Sequence, residues 1–267
     1  MYDLHSHILP GVDDGPTSFE DAVEIARIAA ANGTRAMLAT PHRKDVTELS
    51  SVDYIREVTA ELNCCIRDEG IPLSVILGME NHIDASLPED VAAGKALNMN
   101  GSRYILVEMP FFGEIEEHNY VEGALRELQA QGLIPVFAHP ERIEAFLRQP
   151  ALLERYIGMG MLSQLTRGSL LGHWGEEVLQ FSLELLRNGM AHLLSSDTHS
   201  PRPPRTPELG EALKITADIV GWRKAQTMVV DVPKAILQDV PPQSIPSIPS
   251  IEVSRPLRPA TQLSSSV

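Results

Sequence analysis

Cysteine is nearly absent. The 267-residue chain has two, Cys64 and Cys65, side by side. Neighbours in sequence rarely pair, so no structural disulfide is expected, and a reducing cytosol fits. Neither has an arginine six residues later, which excludes the thiolate-plus-arginine loop of cysteine-dependent phosphatases. Both read as packing residues on one helix. Long apolar runs are missing too. No segment approaches the roughly 18 to 20 apolar residues of a membrane span. The opening Met1-Tyr2-Asp3-Leu4-His5 has no basic region and no apolar run, so it does not read as a signal peptide. The expectation is a cytoplasmic protein without membrane insertion. Positive charge is scarce: 22 Lys and Arg against 36 Asp and Glu, a net charge of −14. Such a surface repels nucleic-acid backbones, so no nucleic-acid partner is expected. A bound metal would still outweigh distant carboxylates locally.

What is present is an ordinary globular composition, 43% apolar and 22% charged. The length suits one large domain or two small ones, with a sizeable core. Short apolar runs recur at 2–4, 36–39, 73–77, 104–107, 134–138, 159–165 and 191–194. Each has strand length. Helix-like stretches lie between them, at 18–31, 52–68, 120–131, 141–156, 176–187 and 207–218. The first has Thr17 and Glu20 placed as a capping box and Asn32-Gly33 as its stop. Alternating strands and helices predict an α/β fold with a parallel sheet. Closed, it is a barrel of the (β/α)₈ kind; open, it is doubly wound; the length fits both. From Pro241 onward Pro and Ser dominate and helical period is lost, so 241–267 reads as a flexible or extended tail.

The chemistry lies at the ends of the apolar runs. The first ends in His5-Ser6-His7, the second in Thr40-Pro41-His42, the third in Gly78-Met79-Glu80, the fourth in Glu108. The fifth ends in His139-Pro140-Glu141-Arg142 and the last in Ser196-Asp197-Thr198-His199. In a parallel barrel all these ends open on one rim, which Asp14 also reaches from the loop after the first run. Alternate strand residues share a face, so His5 and His7 point the same way, as do Asp197 and His199. Five imidazoles (His5, His7, His42, His139, His199) and four carboxylates (Asp14, Glu80, Glu108, Asp197) converge. Each alone is a weak signal. Together they exceed one zinc site and fit a multinuclear catalytic centre able to activate water and clamp a phosphoryl group. His82 reads as a neighbour of that centre. His118, His173 and His192 read as surface or structural.

The run from Asp3 to Gly15, Asp-Leu-His-Ser-His-Ile-Leu-Pro-Gly-Val-Asp-Asp-Gly, resembles metal-dependent protein tyrosine phosphatases of bacterial capsule and exopolysaccharide clusters. These belong to the PHP (polymerase and histidinol phosphatase) superfamily. Thr40-Pro41-His42, Gly78-Met79-Glu80, His139-Pro140-Glu141-Arg142, Gly168 to Gly172 and Ser196-Asp197-Thr198-His199 follow in the family's order, over about residues 1 to 240. The resemblance implies a distorted (β/α)₇ TIM-like barrel of the PHP type over 1–240, with the 241–267 tail outside the match. It implies two or three divalent ions, usually Mn²⁺, though Fe²⁺ and Zn²⁺ accept the same donors. His5, His7, Glu80 and Asp197 would hold the first ion; Glu80, Glu108 and His139 the second; Asp14, His42 and His199 the third. Arg142 matches an arginine that contacts the substrate phosphate.

Two loops depart from the family. After His42 comes Arg43-Lys44-Asp45-Val46, and after His199 comes Ser200-Pro201-Arg202-Pro203-Pro204-Arg205. The family places a second phosphate arginine in the latter; Arg205 is the choice and Arg202 the alternative. Arg43, Lys44, Arg202 and Arg205 are expected on the rim, facing an acidic or phosphorylated tail. The implied substrate is phosphotyrosine on a tyrosine autokinase or its polysaccharide-export partner, hydrolysed by a metal-held hydroxide. Three rivals remain. One is a small-molecule phosphatase such as histidinol-phosphatase. Another is a barrel amidohydrolase, disfavoured because no lysine ends a strand. The third is a non-catalytic PHP module that only binds a kinase. Oligomeric state is left open.

Overall fold

The computed structural model describes residues 1–113 and 120–245. Eight strands and twelve helices are found among them. The strands are β1 (Tyr2–Ser6), β2 (Ala36–Ala39), β3 (Ser74–Leu77), β4 (Asn81–His82), β5 (Tyr104–Glu108), β6 (Ile134–Ala138), β7 (Leu162–Thr166) and β8 (Leu193–Ser195). They form two parallel sheets, ordered β1-β2-β3 and β4-β5-β6-β7-β8. The fold is thus α/β with parallel pairing, as the alternation predicts.

The two sheets meet on both sides. On one, Gly78-Met79-Glu80 carries the chain directly from β3, paired to β2, into β4, paired to β5. Gly78 is closely packed: a Cβ there would stand 3.0 Å from Leu38 Cδ2, and Leu38 would have to shift. Glu80 is bridged to His42 through Glu80 N to Pro41 O at 3.1 Å and Arg43 N to Glu80 O at 2.9 Å. On the other side, Asp197 N donates to His5 O at 3.0 Å and His7 N to Thr198 O at 2.9 Å.

The helices are α1 (Phe19–Ala31), α2 (Arg43–Leu49), α3 (Val52–Asp68), α4 (Leu87–Ala92), α5 (Tyr120–Ala130), α6 (Glu144–Arg148), α7 (Pro150–Gly158), α8 (Arg167–Leu170), α9 (Glu176–Arg187), α10 (Gly210–Val220), α11 (Trp222–Val229) and α12 (Asp231–Leu237). α1 starts one residue later than its expected box: Ser18, not Thr17, is the cap and accepts from Asp21 N at 3.2 Å. The stop at Asn32-Gly33 is as expected, with Gly33 at φ +94°. The stretch expected as one helix over 141–156 is broken. A 3₁₀ turn at Pro140–Arg142 precedes α6, and Pro150, which lacks an N–H and restricts Gln149, separates α6 from α7. On α3, Cys64 is exposed and Cys65 half-buried, and both thiols are free.

Two apolar clusters form the core. The larger fills the space between strands and surrounding helices. The smaller gathers one row of strand side chains, Leu4, Leu38, Tyr104, Leu106, Val136, Ala138, Leu162 and Leu193. Val232 and Ile236 of α12, with Ile245, join it. Tyr104 Oη donates to Val240 O at 2.6 Å, and Arg103 pairs with Asp239 at 2.9 Å, which ties this end down. The remainder of the 241–267 tail lies outside the described residues.

Candidate metal centre

The row of side chains that makes the smaller core continues into the polar site. Alternation carries Leu38 to Thr40 and His42, Leu106 to Glu108, Leu162 to Gln164, and Leu193 to Ser195 and Asp197. Two ligands break the alternation and need backbone devices. Leu4 joins the core row, yet its neighbour His5 joins the site. A register shift between Asp3 and Ser6 of β1 permits both. His139 directly follows Ala138 of the core row and takes a left-handed φ of +34°, which turns it inward. Asp197 is also left-handed, at φ +53°. These are costly conformations for non-glycine residues and belong to sites that need them.

All nine candidate ligands come together. Glu80, wholly buried, is the hub: its Oε1 lies 3.2 Å from His5 Nε2 and 2.9 Å from His139 Nε2. Its Oε2 lies 3.3 Å from His7 Nε2 and 3.1 Å from His42 Nδ1. Asp197 Oδ1 stands 3.5 Å from His5 Nε2 and 3.6 Å from both His7 Nε2 and His199 Nδ1. Glu108 Oε1 is 3.6 Å from His139 Nε2, and its Oε2 is 3.7 Å from His82 Nδ1, which puts His82 at the edge. Asp14 Oδ1 lies 3.0 Å from His199 Nε2 and 3.5 Å from His42 Nε2. Three groupings hold ligand atoms within 4.8 Å of one another: His7, Asp14, His42 and His199; His5, His7 and Glu80; His42, Glu80 and Glu108. Gly15 follows Asp14 because a Cβ would stand 2.1 Å from His7 O.

The residues fit divalent ions. Donors on one six-coordinate ion sit about 3 Å apart, the spacing observed here. The Nε2 atoms of His5 and His7 are 3.3 Å apart. Gln164 gives its amide N–H to Leu165 O at 2.6 Å, so its Oε1 accepts from His5 Nδ1 at 2.8 Å. Asp13 Oδ2 accepts from His7 Nδ1 at 2.7 Å. Both Nδ1 atoms thus carry hydrogen, and the two Nε2 lone pairs face each other. A cation has to lie between them. Without a metal, protons take that place. Burial opposes charge on His7, but Asp13 and Glu80 outweigh it and push its pKa up to about 10. Burial likewise opposes charge on His42, and Asp14 and Glu80 push it up to about 11. Burial would raise the Asp197 carboxyl, yet His5 and Arg205 hold it well below the usual range. A metal competes with these protons for the same lone pairs.

Sequence reasoning missed Asp13 and Gln164, which orient His7 and His5. A signal existed for each: Asp13 stands beside Asp14, and Gln164 interrupts an apolar run. Phe111 was also missed; its ring stacks on His139 at 5.2 Å and 17°.

The arginines divide. Arg142 Nη1 reaches Asp197 Oδ2 at 2.9 Å, and Arg205 Nη2 reaches Asp197 Oδ1 at 2.9 Å. Arg202 is 73% exposed and pairs with Asp21 of α1 at 2.9 Å, so of the two loop arginines Arg205 is the one at the cluster. Arg43 corrects an expectation. It does not line the rim: it is buried, its guanidinium is bound to Asp84 and Asp90, and it donates to His82 O at 3.2 Å. The reason is helical geometry. As the first residue of α2, Arg43 points away from the face that His42, the cap, presents to Glu80. Lys44 is exposed. Of the other histidines, His192 is buried, His173 is exposed, and His118 lies outside the described residues.

An α/β fold with a histidine–carboxylate cluster at its strand ends, able to hold metal beside two guanidiniums, defines the class. The capsular polysaccharide synthesis CpsB/CapC family matches residues 1–238, and the chain belongs to it. It is 38% identical to the tyrosine-protein phosphatase YwqE of Bacillus subtilis over 202 residues, 75% of this chain and 78% of that one. It is 26% identical to the tyrosine-protein phosphatase CpsB of Streptococcus pneumoniae over 244 residues, 90% of this chain and 99% of that one. Among solved structures, one from a study of YwqE and CpsB, described there as unique metal-dependent tyrosine phosphatases, superposes with a TM-score of 0.82 at 34% identity. It covers 90% of this chain and 95% of its own. The phosphotriesterase homology protein of Escherichia coli shares the fold, at a TM-score of 0.57 and 12% identity over 89% of this chain and 98% of its own. No helix among the described residues is long and apolar enough to cross a membrane.

Proposed function

We propose that this chain is a metal-dependent protein-tyrosine-phosphatase, acting in the cytoplasm on a tyrosine autokinase or its polysaccharide-export partner. One observation carries this reading: nine histidine and carboxylate side chains converge, and two guanidiniums close on one of them, Asp197. Family membership and the named activity of the relatives support it. We read the two joined sheets as one distorted (β/α)₇ barrel of the PHP type over 1–240, with β3 and β4 counted as a single bent strand.

His5, His7, Glu80 and Asp197 would hold one ion, Glu80, Glu108 and His139 a second, and Asp14, His42 and His199 a third, with Mn²⁺ the preferred metal. When bound, such ions supply Lewis acidity and an activated water at neutral pH. The chain's own groups do the rest. Asp13 and Gln164 fix the tautomers of His7 and His5, so both present lone pairs inward. Arg142 and Arg205 spread the charge of the phosphoryl oxygens. Among the described residues the serines nearest the cluster are already engaged: Ser196 Oγ donates to Asp3 and Ser6 Oγ to Leu38 O. Water is then the attacking group, and no phosphoenzyme forms. The phenolate leaving group, with a parent pKa near 10, needs no strong general acid.

The test is hydrolysis of a phosphotyrosine peptide and of histidinol phosphate, side by side, on metal-stripped protein with and without Mn²⁺. The expected result is Mn²⁺-dependent turnover strongly favouring the peptide. Preference for histidinol phosphate would move the chain to small-molecule chemistry. Inactivity on both, with metal bound and the fold intact, would overturn the reading in favour of a kinase-binding module.

A further inference from the structure

Trp174 has no place in either apolar core. It sits in the turn after α8, at the mouth of the site and 36% exposed. Its contacts are with cations. Arg142 Cζ stands 4.6 Å from the indole centroid and 5.1 Å from the Phe111 centroid, so the guanidinium lies between two rings. Arg205 Cζ is 5.9 Å from the same indole. One aromatic ring therefore bears on both guanidiniums that hold Asp197. The indole is closely seated: a Cβ on Gly168 would stand 2.9 Å from Trp174 Nε1, and His173 N donates to Gly168 O at 2.9 Å.

Arg205 has unused capacity. Arg205 Nε is buried without a partner among the described residues. A guanidinium carries five N–H donors in a rigid fork, and its value in binding phosphate depends on holding that plane. Ring stacking holds the plane without consuming any donor. We propose that Trp174 is a positioning residue that holds Arg142 and Arg205 as a pair and thereby sets the affinity of the site for a phosphoryl dianion. This rests on the phosphatase reading for its biological sense, but phosphate binding tests it separately from turnover.

The experiment is calorimetric titration of the Mn²⁺-loaded full chain with inorganic phosphate. Trp174→Leu is expected to weaken phosphate binding roughly tenfold and Trp174→Phe by less than about threefold, with Mn²⁺ stoichiometry unchanged. Gly168→Ala, which pushes the indole off its seat, is expected to weaken binding in the same direction. In an Arg142→Met background the Trp174→Leu effect should shrink to about threefold, the part carried by Arg205. Unchanged phosphate affinity in Trp174→Leu overturns the proposal. So does an undiminished tenfold effect in the Arg142→Met background, or a parallel loss of Mn²⁺. Should Trp174→Leu fail to fold, unchanged affinity in Gly168→Ala is the overturning result. A protein that binds phosphate in this pattern yet hydrolyses no phosphotyrosine refutes the phosphatase reading and leaves the role of Trp174 standing.

Discussion

His42 and Arg43 are neighbours in sequence and belong to opposite kinds of charge cluster. Arg43 ends among Asp84, Asp90, Ser86 and the His82 carbonyl, so its positive charge is matched by two carboxylates and both terminal nitrogens are used, while Nε has no partner among the described residues. His42 ends among Glu80, Asp14 and other imidazoles, where ring nitrogens crowd one another and the carboxylates. The first cluster closes on itself and joins α2 to the segment around β4 and α4. The second sets lone pairs and carboxylates against one another, an arrangement that a cation would balance. Buried charge with all its partners in the chain marks architecture; buried lone pairs facing one another mark a ligand site.

The largest effect expected from this contrast is at the incomplete cluster. His139→Ala or Asp197→Ala should lower kcat/KM on a phosphotyrosine peptide by roughly a thousandfold or more, because each would remove a donor from the proposed metal sites. Both should also lower Mn²⁺ stoichiometry. Arg43→Met tests the other side. It leaves two carboxylates partly buried and unpaired, and should destabilise the fold by about 3 kcal/mol in denaturant titration. Its Mn²⁺ affinity should stay within a few-fold; a large loss of metal would show that the two clusters are one unit.

His192 offers a third case, a buried imidazole kept neutral. Burial and then Lys224 lower its pKa to about 4. Its Nδ1 accepts from Ser163 N at 3.1 Å, and Nε2 has no partner among the described residues. Between pH 6.5 and about 4 the unfolded chain binds this proton and the folded chain does not. Stability is therefore fully present above pH 6.5 and falls with pH, by up to about 3 kcal/mol at pH 4. His192→Asn, which keeps an acceptor for Ser163 N, should flatten that part of the stability curve. An unchanged curve would show that other groups govern it. The smallest effect is expected at Arg202, whose exposed pair with Asp21 is worth little. Arg202→Ala should leave phosphotyrosine turnover within about twofold, and a larger drop would return this residue to the substrate path.

Strand ends were legible in the sequence because six of the seven apolar runs terminate in a group of ligand type. Periodicity then placed α3 and α9 within a residue or less. The elements that escaped were short: β4 has two residues and α8 four, too few for any period to register, and α2, α4, α11 and α12, of six to eight residues, also went unread. The expected helix over 141–156 erred for a different reason, since the proline at 150 outweighs an amphipathic pattern that otherwise runs through it. Among site residues, His5 and His7 were readable as a pair, but the register shift that admits His5 beside Leu4 was not.

What the sequence determined by itself was the α/β alternation, the ligand types and their place at strand ends, because these depend on local pattern and residue chemistry. The partner of each charge was decided only by the tertiary structure. Arg43, Arg202 and Arg205 are equivalent as letters near a rim, and Trp174 is an unremarked aromatic in a glycine-rich turn. Which of these guanidiniums is locked to Asp84 and Asp90, how Arg142 reaches Asp197, and which ring lies over it depend on contacts between residues more than thirty apart, and even Arg205 reaches Asp197 across the turn of a loop. Coulomb and stacking energies act through space, and no spacing along the chain encodes them.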